Sequence, residues 1–373
     1  MANMIPDVAD ILYGSYIRYD RMYEMTKYAF HGNIESKSVN VFIDLYSILL
    51  SLYKRPDAMI QDQYSIASCI INLAIHIRAY FESRHRVYTK IYIVYGGTRY
   101  PEFPANSQFH QLYNANNILM EDSNYNLRCV IEDNFGILEL LCPYLFDIFF
   151  IRDDFAEFNS IVGYITEIID TEKLPNVLYS KDLMSYQLVA YRPFTFLYRP
   201  KKSNNEDRSW VVTKSTLYNA YRYGELNTKT EYDTTISPQL FSLVQSIAGV
   251  RTRSINSIKN INTTVKLLEK SIASGYILDG YNGYDIVNNF NRGLYDYINE
   301  ANPLMRIFED HEIAERVRRN FIAIDYQNMY SRYIYSPTTN KINLSCVNLY
   351  SPDEVKAINN KYFRKYPLDL NRV

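Results

Sequence analysis

The chain has 373 residues, 47% of them apolar, enough for a sizeable core in one large or two smaller domains. Its formal net charge of −1 excludes a global basic excess, so any grip on nucleic acid or an anionic membrane must come from local patches. Four widely spaced cysteines without a CxxC pair (Cys69, Cys129, Cys142, Cys346) argue against a zinc module or disulfide scaffold and fit a reducing compartment, and neither a signal peptide nor an apolar run of about 18 residues is present.

Residues 1–38 read as a helical leader, with Leu12, Tyr16, Tyr19 and Tyr23 along one face. Residues 39–50 are alternating, then nearly continuously apolar, which predicts a buried parallel strand. A helix is expected at about 64–84 and a second buried strand at 90–97, ended by Gly96-Gly97. Residues 98–150 are mixed and partly helical. A third strand is expected over 146–151, a helix over 155–169, and a short strand running into a loop and helix over 176–189. Such alternation predicts an α/β fold, a parallel sheet flanked by helices. The segments 194–200 and 209–214 read as a β-hairpin around a polar loop, and from about 237 the pattern is helical. A boundary near 235 would separate an α/β domain, 39–235, from a helical region, 236–330, followed by a C-terminal extension, 331–373.

Function in open parallel sheets gathers at the carboxyl ends of the strands. Asp44, Glu157 and Asp182 fall at such ends, and three converging carboxylates could hold one Mg²⁺ or Mn²⁺, which favour oxygen ligands. Each could equally cap the helix that follows it, and from spacing alone capping is the commoner outcome. The histidines (His31, His76, His85, His110, His311) have no metal-binding or catalytic spacing, and Trp210 reads as a hairpin packing residue.

Six segments in order carry a family resemblance. "VFIDLYSIL", "IVYGGTR", "AEFNSIVGYI", "YSKDLMSYQLV", "SPQLFSLVQSIAGV" and "INSIKNINTTVKLLEK" resemble segments of the 5′ nucleases: flap endonucleases, the 5′-nuclease domain of bacterial DNA polymerase I, and phage 5′–3′ exonucleases. The segment "RRNFIAIDY" is similar to that family's closing helix, so the resemblance spans roughly 39–330. It implies a PIN-like domain with an arch-equivalent insertion at 98–150 and a helix-hairpin-helix region after 236. It also implies an acidic cluster for two metal ions, which in-line phosphodiester hydrolysis places about 4 Å apart.

The departures are concentrated in that cluster. Where the family has aspartates, this chain has Gly96, Asn159, Ser160, Met184, Val250 and Arg253. Asp44, Glu157 and Asp182 remain as a remnant. Arg253 would repel a cation by about 1–4 kcal/mol per charge pair near a surface. The hairpin implied at 250–270 keeps Arg251, Arg253, Lys259, Lys266 and Lys270 against Glu269, with Asn260, Asn262 and Thr263 at its turn. Asparagine tolerates left-handed backbone, which would let that turn persist without the family's glycines. Such a hairpin would contact duplex phosphates. Seven acidic residues against Arg99 and Arg128 in 98–150 would repel a threaded strand, and the stretch could instead dock protein.

The expectation is a degenerate, non-catalytic 5′-nuclease homologue: a DNA-binding or structural subunit of a viral or phage assembly, with protein partners, inside the host cell or the virion. The alternatives are a weak Mg/Mn-dependent 5′–3′ exonuclease using Asp44, Glu157 and Asp182, and a pure protein-interaction module.

Overall fold

The computed structural model describes residues 38–53, 64–96, 125–153, 156–169, 174–180, 182–192, 195–199, 210–212, 240–250, 255–274, 304–308, 310–327, 330, 351–363 and 367–368. The expected leader and its one-sided tyrosines lie outside these residues.

The chain opens with β1 (Ser38–Asp44), α1 (Leu45–Tyr53), α2 (Ser65–His85), β2 (Tyr88–Gly96) and α3 (Tyr125–Leu141). Next come β3 (Ile148–Asp153), α4 (Phe158–Ile169), β4 (Asn176–Tyr179), a 3-10 turn at Leu183–Ser185 and α5 (Tyr186–Tyr191). The hairpin of β5 (Thr195–Arg199) and β6 (Trp210–Val212) completes one sheet in the order β3-β2-β1-β4-β5-β6. β3 to β5 run parallel and β6 antiparallel, as the alternating pattern and the expected hairpin required.

Both faces of this sheet are covered, which is why its strands read as near-continuous apolar runs. Phe42, Tyr92, Val94, Leu178 and Leu197 point to one core, while Val41, Ile43, Ile93, Tyr95, Val177 and Tyr179 point to the other. On the first face, the in-register Phe42, Tyr92 and Phe149 stack as an aromatic row, with centroids 4.8 and 5.1 Å apart. That face is closed by α4, α5 and the later helices α6 (Phe241–Ala248), α7 (Ile261–Ala273), α8 (Met305–Phe308) and α9 (His311–Ile324). The opposite face is closed by α1, α2 and α3. There the last helix, α10 (Pro352–Tyr362), begins with a capping box of Ser351 and Glu354. Its flanking Phe363 and Leu368 are buried in the second core, and the Pro367 carbonyl accepts a bond from Asn72 on α2. The described part of 331–373 therefore belongs to the body.

Two expectations change. The predicted strand over 39–50 stops at Asp44 and becomes α1, because the Asp44 Oδ1 accepts the Ser47 amide at 3.1 Å and so caps a helix. Of the stretch 98–150, residues 125–150 are body rather than arch. α3 buries Ile131, Phe135, Leu138 and Leu141, and Asn134 on it accepts the Ala67 amide of α2 at 2.8 Å. Two of that stretch's acidic residues are also compensated. Arg152 on β3 makes a bidentate pair with Glu132, at 2.9 and 3.0 Å, and lies 4.0 Å from Glu139. The remainder of the stretch, including Arg99, lies outside the described residues.

Candidate functional site

The strand order fixes where a site can form. β1 leads outward through β2 to β3, and the chain then returns to lay β4 on the other side of β1. Connections leave in opposite directions from β1 and β4, which makes their carboxyl ends the switch point of the sheet, where ligands gather in folds of this class. Asp44 stands at the end of β1 and Ser180 follows β4 directly.

Asp44 is 2% exposed, and both of its oxygens are engaged. Oδ1 caps α1, and Oδ2 accepts the Ser180 hydroxyl at 2.6 Å. Ser180 Oγ in turn accepts the Asp182 amide and the Ser185 hydroxyl, each at 3.1 Å. The Asp182 Oδ1 accepts the Met184 amide at 3.1 Å, which starts the 3-10 turn. Capping and convergence are thus the same arrangement for Asp44 and Asp182, and Ser180 joins them. Burial pushes the Asp44 carboxyl up to about 6; the Ser180 bond opposes this, and the neighbouring Asp182 charge adds to it.

Glu157 is buried at the start of α4, where its carbonyl accepts the amides of Ser160 and Ile161. It does not complete a metal cage with the other two. Among the described residues, no three His, Cys, Asp or Glu side chains form a group that could hold a metal ion.

Gly96, the last residue of β2, is packed against backbone. An ideal Cβ there would lie 2.7 Å from the Glu157 carbonyl carbon and 2.8 Å from the Ala156 oxygen, and closer still to the Phe158 amide nitrogen. All three are backbone atoms, so the segment entering α4 occupies the space a side chain on β2 would need. Beside it, Asn159 and Ser160 are 6% and 1% exposed, and Asn159 Oδ1 and Ser160 Oγ have no hydrogen-bond partner among the described residues. The space that a carboxylate on Gly96 would need is therefore filled by backbone, and the two positions beside it carry an amide and a hydroxyl.

The basic hairpin is built from α6 and α7. Gly249, at φ +81°, ends α6. Val250 and Ile255 then pair as an antiparallel bridge, and the Ile247 carbonyl accepts the amides of Ile258 and Lys259. Asn260 caps α7, its Oδ1 accepting the Thr263 amide at 2.8 Å and its carbonyl the Thr264 hydroxyl at 3.0 Å. The turn therefore does not use left-handed backbone at Asn260 or Asn262. Asn260 is an N-cap and Asn262 lies within the helix. The one glycine this hairpin requires is Gly249, where a Cβ would also meet the Ile255 carbonyl. Lys259, Lys266 and Lys270 are exposed, and Arg316 of α9 reaches the Asn256 carbonyl at 3.5 Å. Arg251, Arg253 and the Asn262 side chain lie outside the described residues.

Reading the sequence missed three contributors. Ser180 and Asp153 are each legible in principle as a polar residue closing an apolar strand; Asp153 is buried and stands in register with Gly96. Gln187 lies within the segment "YSKDLMSYQLV" that carries the resemblance, but its partners are distant in sequence and it was not singled out as a site residue.

No protein-family model matches the chain, and no curated protein matches it in sequence. Among solved structures, it is similar to a flap endonuclease of bacteriophage T5 in a pseudo-enzyme–product complex with DNA and metal ions. That match is 12% identical and covers 88% of this chain and 96% of that one, with a TM-score of 0.45. It is also similar to the T5 5′-exonuclease with zinc bound, at 12% identity, 87% and 98% coverage and a TM-score of 0.47. A further T5 protein crystallised with metal ions matches at 9% identity, 87% and 98% coverage and 0.47. No helix among the described residues is long and apolar enough to cross a membrane.

Proposed function

We propose that this chain is a degenerate, non-catalytic homologue of the 5′–3′ exonucleases and flap endonucleases. In this reading it serves as a duplex-binding or structural subunit of a viral or phage nucleic-acid-processing assembly. The observation that carries it is the close approach at Gly96, which supports loss of the second-strand carboxylate as a packed feature of the fold and not a point change in an otherwise intact site. Asn159 Oδ1 and Ser160 Oγ, buried and without a hydrogen-bond partner among the described residues, add support, since both residues stand where the resemblance implies metal-binding aspartates.

No cleavage step is assigned to Asp44 and Asp182. Two carboxylates that cap their own helices and share one serine lack the ligands to place two cations on a phosphodiester. Incubated with 5′-flap DNA or RNA in Mg²⁺ or Mn²⁺, the protein is expected to release no product. Cleavage that disappears in Asp182→Ala would replace this reading with the weak exonuclease.

In this reading duplex binding falls to the hairpin of 250–270, where Lys259, Lys266 and Lys270 are exposed together with the described turn residues Asn256, Ser257 and Asn260. A gel-shift titration against salt measures it. Lys259→Ala with Lys266→Ala should reduce the log–log salt slope by about 1.8, at about 0.9 per phosphate contact. An unchanged slope with unchanged affinity would leave the protein-interaction reading.

A further inference from the structure

We infer that Gln187 is a latch: it holds the helices that bear the hairpin in register with the loop at the carboxyl edge of the sheet. The latch itself stands on hydrogen-bond geometry. Only its consequence for duplex affinity rests on the proposed function.

Gln187 lies on α5 and is 2% exposed. Its Oε1 accepts the Tyr326 amide at 2.6 Å and the Ser242 hydroxyl at 3.1 Å. Its Nε2 donates to the Ile324 carbonyl at 2.6 Å and lies 3.5 Å from the Met184 sulfur. One side-chain amide thus completes the backbone where α9 ends, pairing with a carbonyl and an amide two residues apart. The Ile324 carbonyl belongs to the last turn of α9, where no intrahelical donor is available. Donor and acceptor are both required at that spot: methionine supplies neither, and an ionised glutamate supplies only acceptors.

The bonds continue in both directions. Toward the sheet, Met184 and Ser185 are tied to Asp182 and Ser180, and through Ser180 to Asp44. Toward the hairpin, Ser242 is on α6, whose Ile247 carbonyl receives the turn amides. α9 is fastened to α6 by Asn320, which donates to the Ser246 carbonyl at 2.9 Å. Gln187 is where the two sets meet. A buried polar network of this kind specifies one arrangement of the elements it joins. Contiguity alone does not demonstrate coupling, so a direct measurement is needed.

Native-state hydrogen exchange provides it, on the full chain without nucleic acid. In Gln187→Met and in Gln187→Glu at neutral pH, the amides of Met184, Ser185 and Tyr326 should exchange at least about tenfold faster, while the central amides of β1 and β2 keep their protection. Lowering the pH far enough to protonate the new glutamate restores the donor, so Gln187→Glu should recover protection relative to Gln187→Met. Ser242→Ala removes a single bond; it should show a smaller loss at the same amides, and it decides the matter should the Gln187 variants fail to fold. Uniform loss across sheet and helices, or no loss, overturns the latch. In a duplex gel-shift, Gln187→Met should weaken binding about tenfold with an unchanged salt slope, because the phosphate contacts remain but are no longer held in one arrangement. Unchanged affinity in that variant overturns the register claim. A wild-type protein that binds no duplex sinks the nucleic-acid reading instead, and exchange still decides the latch.

Discussion

Gly96→Asp, the change that would put back the carboxylate implied by the family resemblance, is expected to destabilise the protein by about 3 kcal/mol, the upper end for overpacking, and to bind no metal. The reason is steric before it is electrostatic. The new Cβ alone would stand 2.7 and 2.8 Å from backbone atoms of Glu157 and Ala156. A side chain can rotate away from such a contact, whereas the backbone entering α4 cannot move without disturbing Ala156, Phe158 and Ile161, all buried in the core. Gly96→Ala should therefore show most of the loss, since it introduces the same Cβ without the charge. Both variants can be compared with wild type by denaturant midpoint, with Mn²⁺ binding followed by calorimetry. A Gly96→Asp protein with wild-type stability and a bound cation would show that the carboxylate was lost by a point change, and the degenerate reading would fail with it.

The parts of this molecule that were legible in the sequence are those with local causes. Val39–Ile43 and Ile91–Tyr95 are buried on both faces, and a strand so placed leaves a near-continuous apolar run, broken in the first only by Asn40, which donates to Asn176 on β4. The end of β1 was not legible, because Leu45, Ile48 and Leu49 continue that run while forming the buried side of a helix. Short apolar runs do not distinguish the two periods, and the cap at Asp44 decides between them. Asn260 was read for its backbone tolerance and acts through its side chain; both properties make asparagine a turn residue, and composition cannot separate them. At the candidate site, Asp44 and Asp182 were found from their places at strand ends. The obstruction at Gly96 was not, since a missing side chain does not reveal what fills its space. Gln187 stood in a segment that carried the resemblance, but its role was not legible there: its partners, Ser242, Ile324 and Tyr326, come together only after the helices have packed.

Asp44 predicts the pH dependence of stability. Its carboxyl, ordinarily at 3.8, is pushed up to about 6 in the folded protein, chiefly by burial. Between those values the unfolded chain has released the proton while the folded chain still holds it, so the native state binds more protons. Stability is then fully present below about pH 4, falls as pH rises toward 6, and levels off above. At roughly 1.4 kcal/mol per pH unit, the loss from this one residue is up to about 3 kcal/mol. Other carboxylates titrate in the same range, so the measurement is the difference between wild type and Asp44→Asn across pH 3.5 to 8, by chemical denaturation. Asp44→Asn should lack this segment of the profile. Above about pH 6, where wild-type Asp44 is ionised, it should also forfeit one hydrogen bond, because Ser47 and Ser180 both donate to the carboxylate and an amide can accept only through its oxygen. Ser180→Ala should move the wild-type midpoint above 6, since the Ser180 hydroxyl stabilises the charged form. Saturating Mg²⁺ or Mn²⁺ gives the sharpest contrast. A cation held by Asp44 and Asp182 would favour the ionised carboxylate, pull the midpoint down and reverse the loss. A profile that does not respond to either ion is the expected result for a carboxyl retained as a helix cap and serine anchor at the switch point of the sheet.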